Sequence, residues 1–292
     1  MTVQAGILEM TFARRGNRSV LAHLRRQAPL LVQQALYWDE HLPGLPCVYV
    51  ITTSGCVLEH DVFDISIAVE AGAMAHVTTQ AATRLHRMET GSASQAQRVH
   101  LAADAYLELL PGPVIPQRHS RFAGETEAVV AESATLLSAE ILQPGRKHHR
   151  DELFAYDRYS SALTVRRPDG TRLFSEKLVA EPERQPVRDA GAMGGFDVFA
   201  NVVLVTPPAH ATRILDRVAA GTGADAPGGY GRGQAAGEGC MAGASRLPND
   251  AGLVYKVLGT RTQPVQAKVR AFWDAVRREV AGVPAPAARL WE

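Results

Sequence analysis

With 292 residues, 31 basic against 30 acidic side chains and a formal net charge of +1, the chain is long enough for a sizeable core and lacks the charge excess of a nucleic-acid or anionic-membrane specialist. No apolar run reaches the roughly 18 residues of a membrane span, and residues 1–26, interrupted by Arg14, Arg15 and Arg18, lack the apolar core of a signal peptide. Cys47, Cys56 and Cys240 show no CxxC spacing, which argues against a disulfide framework; a cytoplasmic protein with no nucleic-acid or membrane partner is expected.

Residues 1–60 read as short strands around Ile7–Phe12, Val20–Leu24, Leu30–Val32 and Val48–Val50. Turn signals at Gly16-Asn17 and Pro43-Gly44-Leu45-Pro46 separate them. Such close spacing predicts a layered all-β architecture rather than βαβ units. Next, Ile65, Ile67 and Val69 alternate as one face of a strand, and Gly72 turns the chain. Ala73, Ala75 and Val77 then lead into the polar run Thr78-Thr79-Gln80.

This pattern returns twice. Ile67-x-Val69-x₃-Ala73-x₃-Val77 is matched 32 residues on by Val99, Leu101, Ala105 and Leu109, and a further 29 on by Ala128, Val130, Ala134 and Ser138. The copies end in basic residues: Arg84 with His86, Arg118 with His119, and Arg146 with His148 and His149. Repeats of this length mark units that cannot bury their apolar face alone. We read them as hairpin-like rungs, stacked with their basic ends along one side. The arginines there repel a cation, so the side reads as a face for protein contact, or as merely solvated, rather than as a metal site.

Tyr159–Val165 and Leu173–Val179 flank Pro168-Asp169-Gly170 and predict a hairpin with Glu176 in its second strand. Gly191–Gly195 reads as a bend and Phe196–Val205 as an apolar strand. A short helix is predicted over His210–Ala220, then a glycine-rich mobile loop over residues 221–245. Its Gly231-x-Gly233-x₃-Gly237 lacks the strand and helix that flank a nucleotide-binding turn. Leu253–Leu258 reads as a strand. In a C-terminal helix over residues 264–281, Val265, Val269, Phe272, Trp273, Val276 and Val280 share one face, with Lys268, Arg270, Arg277 and Arg278 on the other. That helix packs on its own β-domain or meets a partner. The expected fold is mainly β, a layered or helical stack of β-sheets built from repeated hairpin rungs. Two α-helices lie toward the C-terminus, and residues 1–292 form a single domain.

The chain contains no GxSxG elbow, HExxH, P-loop or CxxC pair, which favours a binding or scaffold protein, and Thr78, Thr79 and Gln80 lack an adjacent base for nucleophilic catalysis. One series of residues runs the length of the chain. It starts with Asp61-x₁₀-Gly72-Ala73, Thr78-Thr79-Gln80-Ala81-Ala82-Thr83-Arg84, and Leu110-Pro111-x₃-Ile115. Glu140-Ile141-Leu142 with Gly145-Arg146, Glu152, Phe154, Asp169-Gly170 and Gly194-Gly195-x₂-Val198-Phe199 continue it. Gly252-Leu253-Val254-x₃-Leu258-Gly259, Trp273, Arg277 and Arg289-Leu290-Trp291 complete it. This collinear set resembles the urease accessory protein UreD (UreH) family.

The resemblance implies a mainly β, non-enzymatic nickel chaperone scaffold. Its partners would be the urease structural subunits and the accessory proteins UreF and UreG, with the nickel donor UreE acting indirectly. No tightly bound cofactor is implied, only transient passage of Ni²⁺ through the interior. Asp61, Glu140 and Glu176 are the candidate carboxylates of that path, against the alternative that they are edge acids or pair with arginines. Thr78, Thr79, Gln80, Arg84 and Arg146 are candidate partner contacts.

The chain departs from the family before Asp61. Where the family has Gly-Gly-x-x-Gly-Gly-Asp, this sequence reads Gly55-Cys56-Val57-Leu58-Glu59-His60-Asp61. Cys56 and His60 could supply an extra nickel contact by ligand type, or form a plain surface turn. Two other readings stand beside the scaffold. One is a β-rung hydrolase using Asp61 and Glu140 as an acid pair, disfavoured by an aromatic content of 6%. The other is a divergent family member that no longer serves urease.

Overall fold

The computed structural model describes residues 5–147, 149, 152–222 and 239–287. His148, the Gly231–Gly237 stretch and Arg289-Leu290-Trp291 fall outside it. Strand β1 (Ala5–Arg15) buries Leu8, Met10 and Phe12 in strict alternation and turns at Gly16 into antiparallel β2 (Arg18–Gln27). Strand β3 (Leu30–Leu31) pairs with β4 (Cys47–Thr52). The repeated stretch follows. Its first copy is β5 (Val62–Val69), β6 (Met74–Thr79) and β7 (Thr83–Leu85); its second is β8 (Ala93–Leu101), β9 (Tyr106–Leu109) and β10 (Val114–Pro116); its third is β11 (Arg121–Val130) and β12 (Thr135–Leu142).

The predicted repeats stack in register. Ile67 lies opposite Val99 and Val99 opposite Ala128; Val77 lies opposite Leu109 and Leu109 opposite Ser138. Ala73, Ala105 and Ala134, all fully buried, form a column at the corner, with the Tyr106 N–H donating to the Ala73 carbonyl and the Thr135 N–H to that of Ala105. The rungs are not antiparallel hairpins, however. Each carries the chain from one sheet to the other and pairs in parallel with the next rung. At the corners Gly72 (φ +64°) and Asp104 (φ +57°) take left-handed backbone, which swings the strand into the opposite layer. Periodicity shows which face of a strand is buried, but not which strand it pairs with.

The coil is completed by β13 (Arg158–Arg166), parallel to β11, and its antiparallel partner β14 (Arg172–Ala180), the expected hairpin. Then come β15 (Val198–Val205), α1 (Pro208–Thr222), β16 (Cys240–Arg246), β17 (Gly252–Gly259) and α2 (Thr262–Val280). Among the described residues one sheet has the order β14-β13-β11-β8-β5-β1-β2 and the other β16-β17-β15-β12-β9-β6-β4-β3, with β7 and β10 paired beside it. Strand β16 lies inside the stretch read as a loop. Its small residues (CMAGASR) carry no alternation, and main-chain pairing to β17 holds it at the sheet edge.

Two apolar layers result. One fills the space between the sheets and includes Phe12, Ile67, Leu101 and Val130. The other lies between the second sheet and the helices and includes Leu137, Ile141, Val257, Val269 and Phe272. Thus α2 packs on its own β-domain, as one of the two readings had it. Its polar face is not as expected. Arg277, predicted on the solvent side, is fully buried against the sheet.

The reason is a buried acid. Glu108 on β9 faces the helix and accepts hydrogen bonds from Arg277 Nε (2.6 Å) and Nη2 (2.9 Å), Trp273 Nε1 (2.7 Å) and the Tyr106 hydroxyl (2.6 Å). His76 Nδ1 lies 2.7 Å from Glu108 Oε2, the oxygen that also accepts from Arg277 Nη2. Arg277 Nη1 continues to Asp39 Oδ2 at 2.5 Å. Burial alone would raise the Glu108 carboxyl, but the bonds from His76 and Arg277 and the charge of Arg277 reverse this and hold it well below the usual carboxylate range. Removing one member of such a network strands a buried charge. Arg277→Met is expected to cost about 3–5 kcal/mol, whereas Arg278→Met, which loses only the exposed i,i+4 bond to Asp274, should cost under about 1 kcal/mol. Urea denaturation midpoints of the two variants check the contrast.

Candidate functional site

Alternation along β12 sends Leu137, Ala139 and Ile141 into the helix-side core and leaves Ser138 and Glu140 facing the space between the sheets. There the two sheets enclose a cavity of about 250 Å³. Its first wall presents Phe63, Ile65, Gln95, Gln97, Thr126, Tyr159, Ser161 and Glu176; the second presents Val77, Thr79, Ser138, Glu140, Asn201 and Lys256. Polar side chains in the middle of an apolar layer are costly unless satisfied.

The register explains how they meet. Glu140, Asn201 and Lys256 lie directly opposite one another on β12, β15 and β17, and Glu176 comes across from the edge strand β14. Asn201 Nδ2 donates to Glu176 Oε2 at 3.1 Å, and the Lys256 ammonium pairs with Glu176 Oε1. The Tyr159 hydroxyl donates to Glu140 Oε1. Asn201 Oδ1 is buried with no hydrogen-bond partner. Burial raises the Glu140 carboxyl above the usual glutamate value; the Tyr159 and Ser161 hydroxyls oppose this and the Glu176 charge adds to it. The cavity therefore offers two carboxylates and a spare amide oxygen.

Of the predicted carboxylates, Glu140 and Glu176 come together here and Asp61 does not. Asp61 is buried just before β5, where its Oδ2 accepts the Leu58 N–H at 2.7 Å and burial raises its carboxyl. Asp61 and Glu140 therefore do not share one lining, and the hydrolase acid pair is not assembled. Nearby, Glu59 Oε1 accepts the N–H groups of Thr90 and Gly91, which lower its carboxyl to about 2. The Cys56 thiol lies 3.9 Å from the Ser54 carbonyl. Among the described residues no three His, Cys, Asp or Glu side chains converge as a metal site.

The polar run divides. Thr78 is buried, its hydroxyl donating to the Leu110 carbonyl at 2.7 Å, so it is not a surface contact. Thr79 lines the cavity, bonded to Ala81 and Gly112. Gln80 and Arg84 are exposed. Arg146 is engaged in a two-bond ion pair with Glu152, at 2.6 and 2.8 Å.

The family model for the UreD urease accessory protein matches residues 4–292. The chain belongs to the UreD family. The protein named urease accessory protein UreD 2 from Brucella suis is 47% identical over 285 residues, covering 97% of this chain and 90% of its own. Urease accessory protein UreD from Photorhabdus laumondii is 45% identical over 289 residues, covering 99% of this chain and 86% of its own, and that from Yersinia pseudotuberculosis is 46% identical with the same coverage.

Several residues of the collinear set read from the sequence acquire a physical role. The Arg146–Glu152 pair pins the segment after β12, and Phe154 donates its N–H to the Pro144 carbonyl at 2.6 Å. Before Asp61, His60 takes left-handed backbone (φ +70°), a conformation that costs a non-glycine residue about 1 kcal/mol. Room for the ring comes from Gly91, where an added Cβ would sit 2.3 Å from His60 Cε1. Asn201, Lys256 and Tyr159 were missed from sequence. Each is an ordinary inward or edge position until pairing shows its neighbours.

Because the Glu140 carboxyl is raised in the folded state, the stability it contributes is fully present below the usual value of 4.5 and is lost as pH rises through the raised value. Glu140→Gln removes that loss. Its stability relative to wild type is expected to climb as pH rises above 4.5 and to level off once the raised value is passed, as read from denaturation midpoints over a pH series.

Proposed function

We propose that the chain is a urease maturation scaffold, acting without enzymatic chemistry of its own. In this reading it docks on the urease structural subunits in the cytoplasm and recruits UreF, which in turn holds the nickel-carrying GTPase UreG, with UreE as the indirect nickel donor. Nickel is cargo, and the cavity between the sheets is part of its route. Membership of the UreD family supports the first half of the reading. The observation that carries the second is the pair Glu140 and Glu176, facing one cavity beside an amide oxygen that has no partner.

The donor chemistry suits transit. Imidazole and thiolate hold Ni²⁺ more firmly than carboxylate and amide oxygens do, so an oxygen-only station releases what it receives. Asp61, buried outside the lining, keeps a supporting place before β5 in this proposal. Cys56 and His60 enter only as an outer nickel contact, which unchanged Ni²⁺ affinity in the Cys56→Ala, His60→Ala double variant would remove. Exposed Gln80 and Arg84 are the residues of the polar run best placed to meet a partner, and Arg146 would have to do so while bound to Glu152.

The test is co-expression of the urease subunits and accessory proteins with and without this chain, and with its Glu140→Gln, Glu176→Gln variant. Omission is expected to leave urease assembled but nickel-poor and inactive, and the double variant to lower nickel content and activity together, at least tenfold on the scale of about 1.4 kcal/mol per tenfold. Nickel content and activity that are indifferent to the chain would leave the fold without this job.

A further inference from the structure

Lys256 has an unusual position for a surface lysine. It lies in register with Asn201 and Glu140, yet its ammonium reaches across the gap between the sheets to Glu176. The pair is only partly covered, with 49% of the Lys256 side chain and 27% of the Glu176 side chain exposed. The ammonium also lies 6.0 Å from the Phe199 ring, which lines the same cavity. A strongly hydrated ammonium on a flexible stem can leave such a site at little cost. Glu140 and Glu176 face the same cavity, where two carboxylates without compensation are unfavourable. Asn201 spends its amide N–H on Glu176 and leaves its oxygen buried and unused.

We propose that Lys256 is a tethered counter-cation, holding the Glu176 carboxylate until a divalent cation takes its place between Glu140, Glu176 and Asn201 Oδ1. This rests on the transit reading above and adds how that station is regulated. Arrival of the cation exchanges one positive charge for another at Glu176. Departure is assisted by the returning ammonium, so the carboxylates are never left bare in a low-dielectric gap. A permanent binding site would dispense with the lysine; a station that must empty gains from it.

A plain structural brace and a counter-cation predict opposite things for Lys256→Met, which keeps the aliphatic stem. Ni²⁺ alone is titrated calorimetrically into the full-length protein and its variants, with circular dichroism confirming the fold. Lys256→Met is expected to bind about fivefold more tightly, the scale of one partly exposed charge pair, and to lose its nickel to a chelator more slowly. Lys256→Arg, which keeps the charge, should match wild type, and Glu176→Gln should weaken binding with or without Lys256. If Glu176→Gln weakens binding but Lys256→Met leaves it unchanged or weaker, the counter-cation is overturned and the transit reading stands. If Ni²⁺ affinity is indifferent to Glu140→Gln and Glu176→Gln, both are overturned. Lys256→Gln serves as the neutral variant should the methionine protein fail to fold.

Discussion

The constraint on which the molecule depends is the common register of its coils. Because each copy returns the chain to the same corner, Ala73, Ala105 and Ala134 stack, and every strand after the corner inherits the register of the one before it. A slip of one residue would exchange the faces of a strand throughout. On β12 it would turn Leu137 and Ile141 into the cavity and Glu140 into the apolar layer under the helices. The register thus decides both that the two cores are apolar and that one acid is aimed between the sheets.

Two polar inclusions interrupt those cores, and they differ in how far their ion pairs are shielded from solvent. Around Glu108 both carboxylate oxygens are occupied, and Arg277 is shared with Asp39. That network is held by charge-assisted bonds, although His76 Nε2 is also buried without a hydrogen-bond partner. Around Glu140 and Glu176 the account is left open, with an unpartnered amide oxygen, a carboxyl displaced toward its neutral form and an ion pair partly in solvent.

How much of this was legible in the sequence depends on the kind of signal. Repetition at offsets of 32 and 29 is a statement about stacking, and it located the pairing residues correctly. Whether the stacked units were hairpins or coils was not legible, because alternation is the same in either. Glu140 and Glu176 stood out as acids inside apolar strands, and the fold brought them together. Asp61 stood out equally, but its neighbours are the backbone of its own turn. Arg277 read as a solvent-facing residue because helical spacing knows nothing of an acid on a strand 169 residues earlier. Asn201 and Lys256 are visible only through their strand partners. Strand β16 was missed because its small residues have no pattern to read; the pairing belongs to the backbone.

The position of Arg277 also bears on the order in which the molecule can be made. Asp39 and Glu108 precede it by 238 and 169 residues. During synthesis the coils emerge from the ribosome first, with the outer face of the second sheet bare and an acid in its middle that has no cation. Neither is provided for until α2 is out of the exit tunnel and laid across the sheet. The apolar face of the second sheet and the Glu108 carboxylate thus wait on the same element, which brings both their cover and their cation.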